Sequence, residues 1–426
     1  MDNFSTQLPN DIIDQFGKNL NCIEDFLSFG CVCKSWYQSF QRIKKKHPPF
    51  SPVLMLVYKE DAQNVQTFHT FSADKKHLNL SIPHALIQGK RCLGSPFGWV
   101  VTIGLDLQIH LLNPFSRDQI PLPSQPTFPH QCRFIKEPED IRQMFVHKFV
   151  LSSTPSDESG QSASFVVIAI YLHDLRLAFA KLGDEAWTSI ESPQGGGYED
   201  AIFFNGQIYA IDWEGILCVC EIDNGSPKAI EIASPPDHEG GDSNKFYLVE
   251  MSGDLLLVER IVIEIDRESM LHFHYCTVYF QVFKFDFEEN LWNMLLDIGD
   301  HALFIGNNTS FALSTSEFPR FKRNCIYFTD DHLETYPYNN FCDMGFHDLA
   351  QKINDGVETR DEGDTREETW QRDDTEENTR EQNVVLETED TTNKDVTEDL
   401  KTVDSTYKVA DTGSTFYRPL FIMPCF

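Results

Sequence analysis

The chain has 426 residues, of which 41% are hydrophobic and 34 are phenylalanines, so it has room for two or three domains. Its formal net charge of −31 argues against nucleic acid or anionic membrane as the main partner, because phosphate binding needs clustered lysine and arginine. The eleven cysteines are scattered without a C-x-x-C pair, and no secretory or membrane-spanning apolar run appears. These features predict reduced thiols and a location in the cytoplasm and/or the nucleus.

The N-terminal segment, residues 4–47, carries apolar residues at helical spacing. Asn10 or Asp11 can cap a helix that follows Pro9. Two apolar stripes are predicted, one formed by Ile12, Ile13, Phe16 and Leu20, the other by Val32, Trp36, Phe40 and Ile43. So short a segment buries too little surface for an independent core. It is therefore predicted to be a docking module completed by a partner; the alternative is a helical cap packed on the rest of the chain.

In their order, Leu8-Pro9-Asn10-Asp11-Ile12-Ile13, Phe26-Leu27 and Val32-Cys33-Lys34-Ser35-Trp36 resemble an F-box, the segment that docks substrate receptors onto the Skp adaptor of cullin-based ubiquitin ligases. The resemblance implies ten adaptor-binding residues: Leu8, Pro9, Ile12, Ile13, Phe16, Leu20, Leu27, Val32, Cys33 and Trp36. Gly17 departs from a good helix sequence at a cost of about 1 kcal/mol relative to alanine. Gly30 and Tyr37 stand where the family often carries arginine. These departures bear on adaptor affinity more than on the identity of the module.

From residue 50 to 353 the pattern changes to short extended runs between turn residues, typical of an all-β domain. The predicted strands are Val53–Tyr58, Gly98–Ile103, Gln108–Leu112, Phe165–Leu172, Ala201–Phe204, Gln207–Ile211, Ile216–Ile222, Leu255–Val258, Cys276–Phe287 and Cys325–Phe328. A weak echo between Phe204–Asp212 and Asn324–Asp330, with Trp187 and Trp292 each before a short strand, favours a β-propeller. A pair of β-sandwiches is the alternative.

A second resemblance covers this β-domain. Gly94-Ser-Pro-Phe-Gly98-Trp99, Leu112-Asn113-Pro114-Phe115 and Leu303-Phe304-Ile305-Gly306 look like segments of the C-terminal domain of a large plant F-box family. That domain has no assigned function and is related to kelch-type propellers. Together with the F-box, the resemblance covers most of residues 8 to 350. It implies a propeller that binds a protein target.

The C-terminal part changes composition abruptly. Residues 355–410 contain 19 Asp or Glu against 7 Lys or Arg, which predicts an acidic disordered insertion over 354–410. The segment 411–426 becomes apolar again. It is interpreted either as a strand that returns to close the propeller or as a frayed tail.

Catalytic templates are absent from the sequence: it has no phosphate loop, nucleophile elbow or zinc helix. Gly195-Gly196-Gly197 is interpreted as a connecting loop rather than an anion cradle. His272, His274 and Cys276 are interpreted as alternating strand residues rather than metal ligands. Glu288-Glu289 and Asp330-Asp331 are interpreted as turn carboxylates. No catalytic residue, cofactor or metal is predicted.

The expected function is that of the substrate-recognition subunit of an SCF-type ubiquitin ligase, a receptor without bond chemistry of its own. Its expected partners are a Skp-type adaptor, a cullin bound through that adaptor, and a protein target of unknown identity. One alternative is a non-degradative interaction protein, such as a kinase inhibitor, with an F-box weakened by Gly17 and Gly30. Another is a propeller enzyme in which the helices are only a cap.

Overall fold

A computed structural model of the chain describes residues 8–20, 23–44, 50, 52–58, 66–70, 77–78, 84–87, 89–95, 97–132, 136–155, 164–193, 195–223, 225–236, 244–265, 274–331, 343–350 and 416–422. No helix in these ranges is long and apolar enough to cross a membrane. The acidic insertion 354–410 lies outside the described residues, so its disorder stays a prediction.

The described ranges contain five α-helices: α1 (Asn10–Lys18), α2 (Ile23–Cys31), α3 (Lys34–Ile43), α4 (His84–Ile87) and α5 (Pro138–Met144). The two apolar stripes correspond to α1 and α3. They do not include α2, whose buried face carries Ile23, Phe26 and Phe29. The predicted cap is wrong as well. Pro9 occupies the N-cap position of α1 without any side-chain cap, and its carbonyl accepts hydrogen bonds from the backbone N–H groups of Ile12 and Ile13, both at 3.1 Å.

The strands of the described ranges form six four-stranded sheets, the blades of a β-propeller. Numbered along the chain and written outward from the axis, they are blade 1 with β24 (Phe416–Ile422), β1 (Val53–Tyr58), β2 (Gln66–Thr70) and β3 (His77–Leu78); blade 2 with β4 (Arg91–Gly94), β5 (Val100–Ile103), β6 (Ile109–Leu112) and β7 (Gln119–Leu122); blade 3 with β8 (Val146–Leu151), β9 (Val166–Tyr171), β10 (Arg176–Lys181) and β11 (Thr188–Ser189); blade 4 with β12 (Tyr198–Phe204), β13 (Gln207–Asp212), β14 (Leu217–Glu221) and β15 (Lys228–Ala233); blade 5 with β16 (Lys245–Met251), β17 (Asp254–Ile265), β18 (His274–Asp286) and β19 (Leu291–Leu295); and blade 6 with β21 (Phe311–Ser314), β20 (His301–Ile305), β22 (Cys325–Phe328) and β23 (Gly345–Asp348).

This architecture confirms the predicted propeller and excludes the pair of sandwiches. Every predicted run falls on a strand, and β1 and β22 have the predicted bounds. The internal echo, however, does not mark equivalent positions. Phe204–Asp212 covers the end of the innermost strand and the second strand of blade 4, whereas Asn324–Asp330 covers the third strand of blade 6, where β22 pairs parallel with β20.

The first blade joins the two ends of the β-domain. β24 pairs antiparallel with β1, from Val53 opposite Ile422 to Tyr58 opposite Phe416. It is the innermost strand of blade 1 and lies beside β4 of blade 2. Within the apolar C-terminal segment 411–426, the structure thus places the described residues Phe416–Ile422 inside the ring of blades, as the strand of the first interpretation.

A buried segment after β20 reaches across the centre of the ring. Asn307, Asn308, Thr309 and Ser310 are all less than 9% exposed. The Thr309 hydroxyl donates to the carbonyl of Phe149 in blade 3, at 3.2 Å. The Asn308 backbone passes so close to Gly94 of blade 2 that a Cβ there would lie 2.7 Å from the Asn308 Cα. Gly94 therefore permits this segment to fill the space between the innermost strands.

The helices pack directly on blade 2. Phe26 of α2 contacts Phe50 with ring centroids 5.1 Å apart. Both rings belong to one buried cluster that also contains residues of α1, α3, α4 and blade 2: Ile13, Ile23, Phe29, Phe40, Ile43, Ile87, Cys92, Val100, Leu112 and Phe115. Because one core serves both parts, the helices and the propeller pack directly against each other.

Candidate functional site

The N-terminal helices present an apolar surface to solvent. Leu8, Ile12 and Phe16 recur every four residues along α1 and its approach, and their side chains are 42%, 45% and 53% exposed. The ring of Phe16 contacts that of Trp36 in α3, with centroids 5.6 Å apart, and Val32 just before α3 is 50% exposed. We call Leu8, Ile12, Phe16, Val32 and Trp36 the helical surface. Exposed apolar side chains that lie together mark an interaction site more often than scattered ones do.

The other predicted adaptor-binding residues lie elsewhere around this surface. Pro9 is exposed at the start of α1. Leu20, Leu27 and Cys33 are half-buried, and the two leucines pack against the core. Ile13 is only 1% exposed and belongs to that core, so its placement on a partner-facing stripe with Ile12 and Phe16 is wrong. Adjacent helix positions differ in direction by about 100°, which puts Ile12 outside and Ile13 inside.

The structure gives Gly17 a packing role. A Cβ at Gly17 would lie 2.5 Å from Cδ1 of Ile43 and 2.9 Å from Cε1 of Phe29, so only glycine lets α1 approach these side chains so closely. Gly30 is similar, with a Cβ there 3.0 Å from Cγ of Phe40. Both departures from the usual sequence therefore fit the packing of this helical module.

An ion pair fixes α1 against α3. The guanidinium of Arg42 donates to the carboxylate of Asp14 at 2.6 Å, and the Ser39 hydroxyl donates to the same carboxylate. The hydrogen bond from Arg42 lowers the pKa of Asp14 from its usual range. This contact holds the two helices that carry Phe16 and Trp36 in register.

The propeller has a second candidate surface at the end where each innermost strand begins. Because neighbouring strands are antiparallel, the turns β5–β6, β9–β10 and β13–β14 lie at this same end of blades 2, 3 and 4. The connection 190–197 between blades 3 and 4 reaches it too. We call this end the crossover face. Loops at one end of a rigid scaffold are where propellers and barrels usually bind their ligands.

Buried charges cluster where the innermost strands start. Lys148 in β8 forms an ion pair with Asp200 in β12 at 2.7 Å, with the two side chains 7% and 1% exposed. Asp200 also accepts a hydrogen bond from the backbone N–H of Leu248 in β16 at 2.9 Å, and Glu199 accepts one from Phe246 N–H at 2.7 Å. These contacts link blades 3, 4 and 5 around the axis.

A buried arginine links blades 5 and 6 in the same way. Arg260 in β17 is 1% exposed, and its guanidinium forms ion pairs with Asp331 and Asp343, both at 3.0 Å. The Thr277 hydroxyl donates to Asp343 at 2.6 Å, and Lys245 approaches Asp331 to 3.2 Å. Burial opposes the ionisation of the Asp331 carboxyl, but the charges of Lys245 and Arg260 hold its pKa at about 2. The interpretation of Asp331 as a turn carboxylate is therefore wrong: it is the centre of a buried ion network.

Glu199 predicts a specific dependence of stability on pH. Its burial, together with the nearby Asp331 and Asp200, raises its pKa to about 7, although Lys245 opposes the shift. Because the pKa of Glu199 is higher in the folded protein than in the unfolded chain, protonation of Glu199 stabilises the folded state. This stabilisation is lost as the pH rises through about 7. We expect Glu199→Gln to remove on the order of 2 kcal/mol of the pH dependence of the unfolding free energy between pH 5 and 8. Urea denaturation at several pH values measures this dependence, and Glu191→Gln, at an exposed site, is the control. If the unfolding free energy of Glu199→Gln changes with pH as steeply as that of the wild type, the expectation is contradicted.

The remaining sequence candidates take ordinary structural positions where the structure describes them. Gly195, Gly196 and Gly197 belong to the connection between blades 3 and 4. The backbone N–H groups of Glu288 and Glu289 donate to Asp286 in a turn. His272 lies outside the described residues. Within the described ranges, no group of three potential metal ligands comes together.

Two exposed aromatic residues were not among the predicted site residues. Tyr37, next to Trp36, is 51% exposed, and Trp213 on the crossover face is 66% exposed. Tyr37 follows the apolar stripe of α3 by one position, a signal present in the sequence. Trp213 stands alone in a turn between Asp212 and Gly215, where no periodic pattern singles it out.

Comparisons with known proteins agree with this architecture. The family model described as KIB1-4 beta-propeller matches residues 68–350. Three Arabidopsis thaliana proteins are similar over most of their length: F-box protein SKIP23, 26% identical and covering 73% of this chain and 80% of its own; F-box protein KIB4, 23% identical and covering 75% and 80%; and F-box protein KIB3, 25% identical and covering 76% and 70%.

Proposed function

The chain belongs to the KIB1-4 β-propeller family and is an F-box protein with a propeller domain, and from this premise we propose that it is the substrate-recognition subunit of an SCF-type ubiquitin ligase. In this proposal the helical surface binds a Skp-type adaptor and, through it, a cullin, in the cytoplasm or the nucleus. The propeller binds a protein target. The chain itself carries out no bond chemistry.

The observation that carries the proposal is the exposed apolar surface of the F-box helices. Ile12, Phe16 and Val32 are each about half exposed, although the residues beside them build a well-packed core. Exposing three large apolar side chains on so small a module is unfavourable unless a partner covers them. Trp36 adds a half-buried indole whose Nε1 has no hydrogen-bond partner within the described residues.

The junction between the helices and blade 2 supports the second half of the proposal. Val100, Leu112 and Phe115, which contribute to the shared core, lie at the end of blade 2 opposite the β5–β6 turn. The crossover face of that blade is therefore left open. A receptor that holds a target at a fixed position near a ubiquitin-charged enzyme accelerates transfer by raising the effective concentration of the target lysine.

Adaptor binding is tested with Ile12→Ala/Phe16→Ala in the full chain. Both side chains are about half exposed, so the double variant is expected to fold, with a small drop in melting temperature from the lost contacts of Phe16 with Phe29 and Trp36. Two truncated anchors at about 1–2 kcal/mol each predict at least tenfold weaker binding to the purified adaptor, measured by calorimetry. Met294→Ala/Leu296→Ala is the matched control, since these residues are 49% and 81% exposed on blade 5, away from the helices.

The same experiment distinguishes the proposal from its alternative. Adaptor and cullin captured by the wild type and the control, but not by the double variant, support the receptor function. A folded wild-type chain that captures neither contradicts it. That result favours a propeller that binds or inhibits its partner protein without ubiquitination.

A further inference from the structure

The crossover face carries an exposed tryptophan in a defined setting. Trp213 lies in the β13–β14 turn with its side chain 66% exposed, although tryptophan is a residue that proteins usually bury for the most part. Its backbone N–H donates to the carbonyl of Gly197 at 2.8 Å, and the N–H of Gly197 donates to the carbonyl of Asp174 at 2.7 Å. Two turns and one connection between blades therefore meet at this side chain.

Glycine backbone lies directly beside the indole. Gly195, Gly196 and Gly197 all have positive φ values, of 82°, 158° and 91°. A Cβ at Gly196 would collide with the Asp174 carbonyl oxygen, and a Cβ at Gly197 would lie 3.4 Å from the indole of Trp213. The glycines thus let the indole lie against the chain, and the Arg176 side chain borders the same surface, with its Cγ 3.7 Å from where a Cβ at Gly196 would lie. We call Trp213 with Gly195–Gly197 the Trp213 platform.

The turns that meet at the platform are rich in acidic residues. The three segments that meet there, 172–176, 190–200 and 212–216, contain six carboxylates but only one arginine, and the carboxylates are Asp174, Glu191, Glu199, Asp200, Asp212 and Glu214. Arg176 pairs with Asp174 at 2.6 Å, and Lys148 pairs with Asp200. The second oxygens of Asp174 and Asp212 are buried and accept no hydrogen bond from the residues that the structure describes, and Asp212 is 1% exposed. In the two turns that meet at the indole, Asp174, Asp212 and Glu214 thus outnumber the one cation, Arg176.

We propose that the Trp213 platform binds an arginine or lysine side chain of an extended segment in the target protein. A cation stacks well on an indole because the face of the ring is electron-rich, and tryptophan is the best of the aromatic side chains for this contact. The surrounding carboxylates complement the charge, and the glycine floor gives an extended peptide room to approach the backbone. This inference rests on the proposed function and specifies the chemistry of its target.

The test uses the full chain labelled with 5-fluorotryptophan, with the Trp213 resonance identified by its loss in Trp213→Phe. The probe is a blocked Gly/Ser peptide with two arginines, and the matched probe carries citrulline, which has arginine's shape without its charge. We expect the arginine peptide alone to shift the Trp213 resonance, and 0.3 M salt to weaken its binding. Trp213→Leu should lose at least fivefold in affinity. Leu105→Ala, on the same face in blade 2, should bind as the wild type does.

Three outcomes would overturn the inference: equal binding of the citrulline peptide, unchanged affinity in Trp213→Leu, or a stronger response of the Trp213 resonance to inorganic phosphate. Adaptor capture by the same variants separates this inference from the proposed function. Trp213→Leu should capture the adaptor as well as the wild type. If the chain binds the arginine peptide but no adaptor, the platform stands and the receptor function fails; the reverse result removes only the platform.

Discussion

Removal of residues 414–426 is expected to lower the melting temperature of the protein by about 10 °C or more. The deletion removes β24, the innermost strand of blade 1, and leaves β1 unpaired along the five residue pairs that join the two strands. At about 1 kcal/mol for each lost backbone hydrogen bond, the cost is about 5 kcal/mol, and in a domain of this size each kcal/mol lowers the melting temperature by about 2–4 °C. Differential scanning calorimetry measures the shift.

A shorter truncation provides the control. Removing only residues 423–426 keeps all of β24 and should leave the melting temperature within about 2 °C of the wild type, because no paired strand residue is lost. A synthetic peptide of residues 414–426, added to the longer truncation, should restore part of the lost stability by mass action. If the longer truncation melts at the wild-type temperature, β24 does not close the propeller in solution.

The fold class was accessible from the sequence because its evidence is local. Short runs of β-branched and aromatic residues between Gly, Asn and Asp turns predict strands wherever they occur, and the structure has a strand at each of them. Short connecting strands are harder to recognise. β11 contains only Thr188 and Ser189, and β4 has four residues and ends at the Gly94 that makes room for Asn308. Position within a blade depends on pairing between strands, which a strand's own composition does not encode.

The helical surface was predicted in part for a similar reason. The i, i+4 spacing of Leu8, Ile12 and Phe16 is visible in the sequence and places them on one side of α1. The assignment of Ile13 fails because an apolar stripe shows that a helix has a buried side, whereas only the positions of α2 and α3 decide which side that is. The packing function of Gly17 is hidden for the same reason, since it depends on Phe29 and Ile43 of two other helices.

The buried ion network shows what the sequence pattern conceals. Arg260 is 71 residues from Asp331 and 83 from Asp343, so no local motif unites them. A signal is nevertheless present: Glu259-Arg260 interrupts the apolar strand Asp254–Ile265, and charged side chains inside such a strand are rarely buried unless they are paired. The sequence thus indicates that a partner must exist, and only the fold identifies it.

The two candidate surfaces belong to one rigid arrangement. The F-box helices share their core with blade 2. Ion pairs between blades 3 and 4 and between blades 5 and 6, with hydrogen bonds between blades 4 and 5, fix the loops of the crossover face around the axis. A receptor needs this property, because a target held on a loosely attached domain would spend little time near the ubiquitin-charged enzyme. This rigidity depends on buried charges that must stay paired. Among them, substitution of Arg260 is expected to cause the largest loss of folding stability.

Arg260→Met is expected to destabilise the protein by about 3–5 kcal/mol, because it leaves the carboxylates of Asp331 and Asp343 buried without their common partner. Methionine preserves much of the side-chain volume, so the loss reflects charge rather than a cavity. Burial opposes the charge of the guanidinium, but Tyr247, Asp343 and Asp331 raise the pKa of Arg260 further above its usual value, so it stays ionised at every accessible pH. Chemical denaturation at pH 7 measures the change.

Neutralising one of the two carboxylates that lose Arg260 as a partner provides the sharper half of this test. In the Arg260→Met background, Asp343→Asn should recover part of the lost stability, since among the described residues no second cation forms an ion pair with Asp343. Asp331→Asn should recover less, because Lys245 still lies 3.2 Å from Asp331. Arg323→Met is the matched control: its ion pair with Asp300 is about two-thirds exposed, so its removal should cost less than about 1 kcal/mol. A similar, small loss at both arginines would mean that the buried network does not hold blades 5 and 6 together.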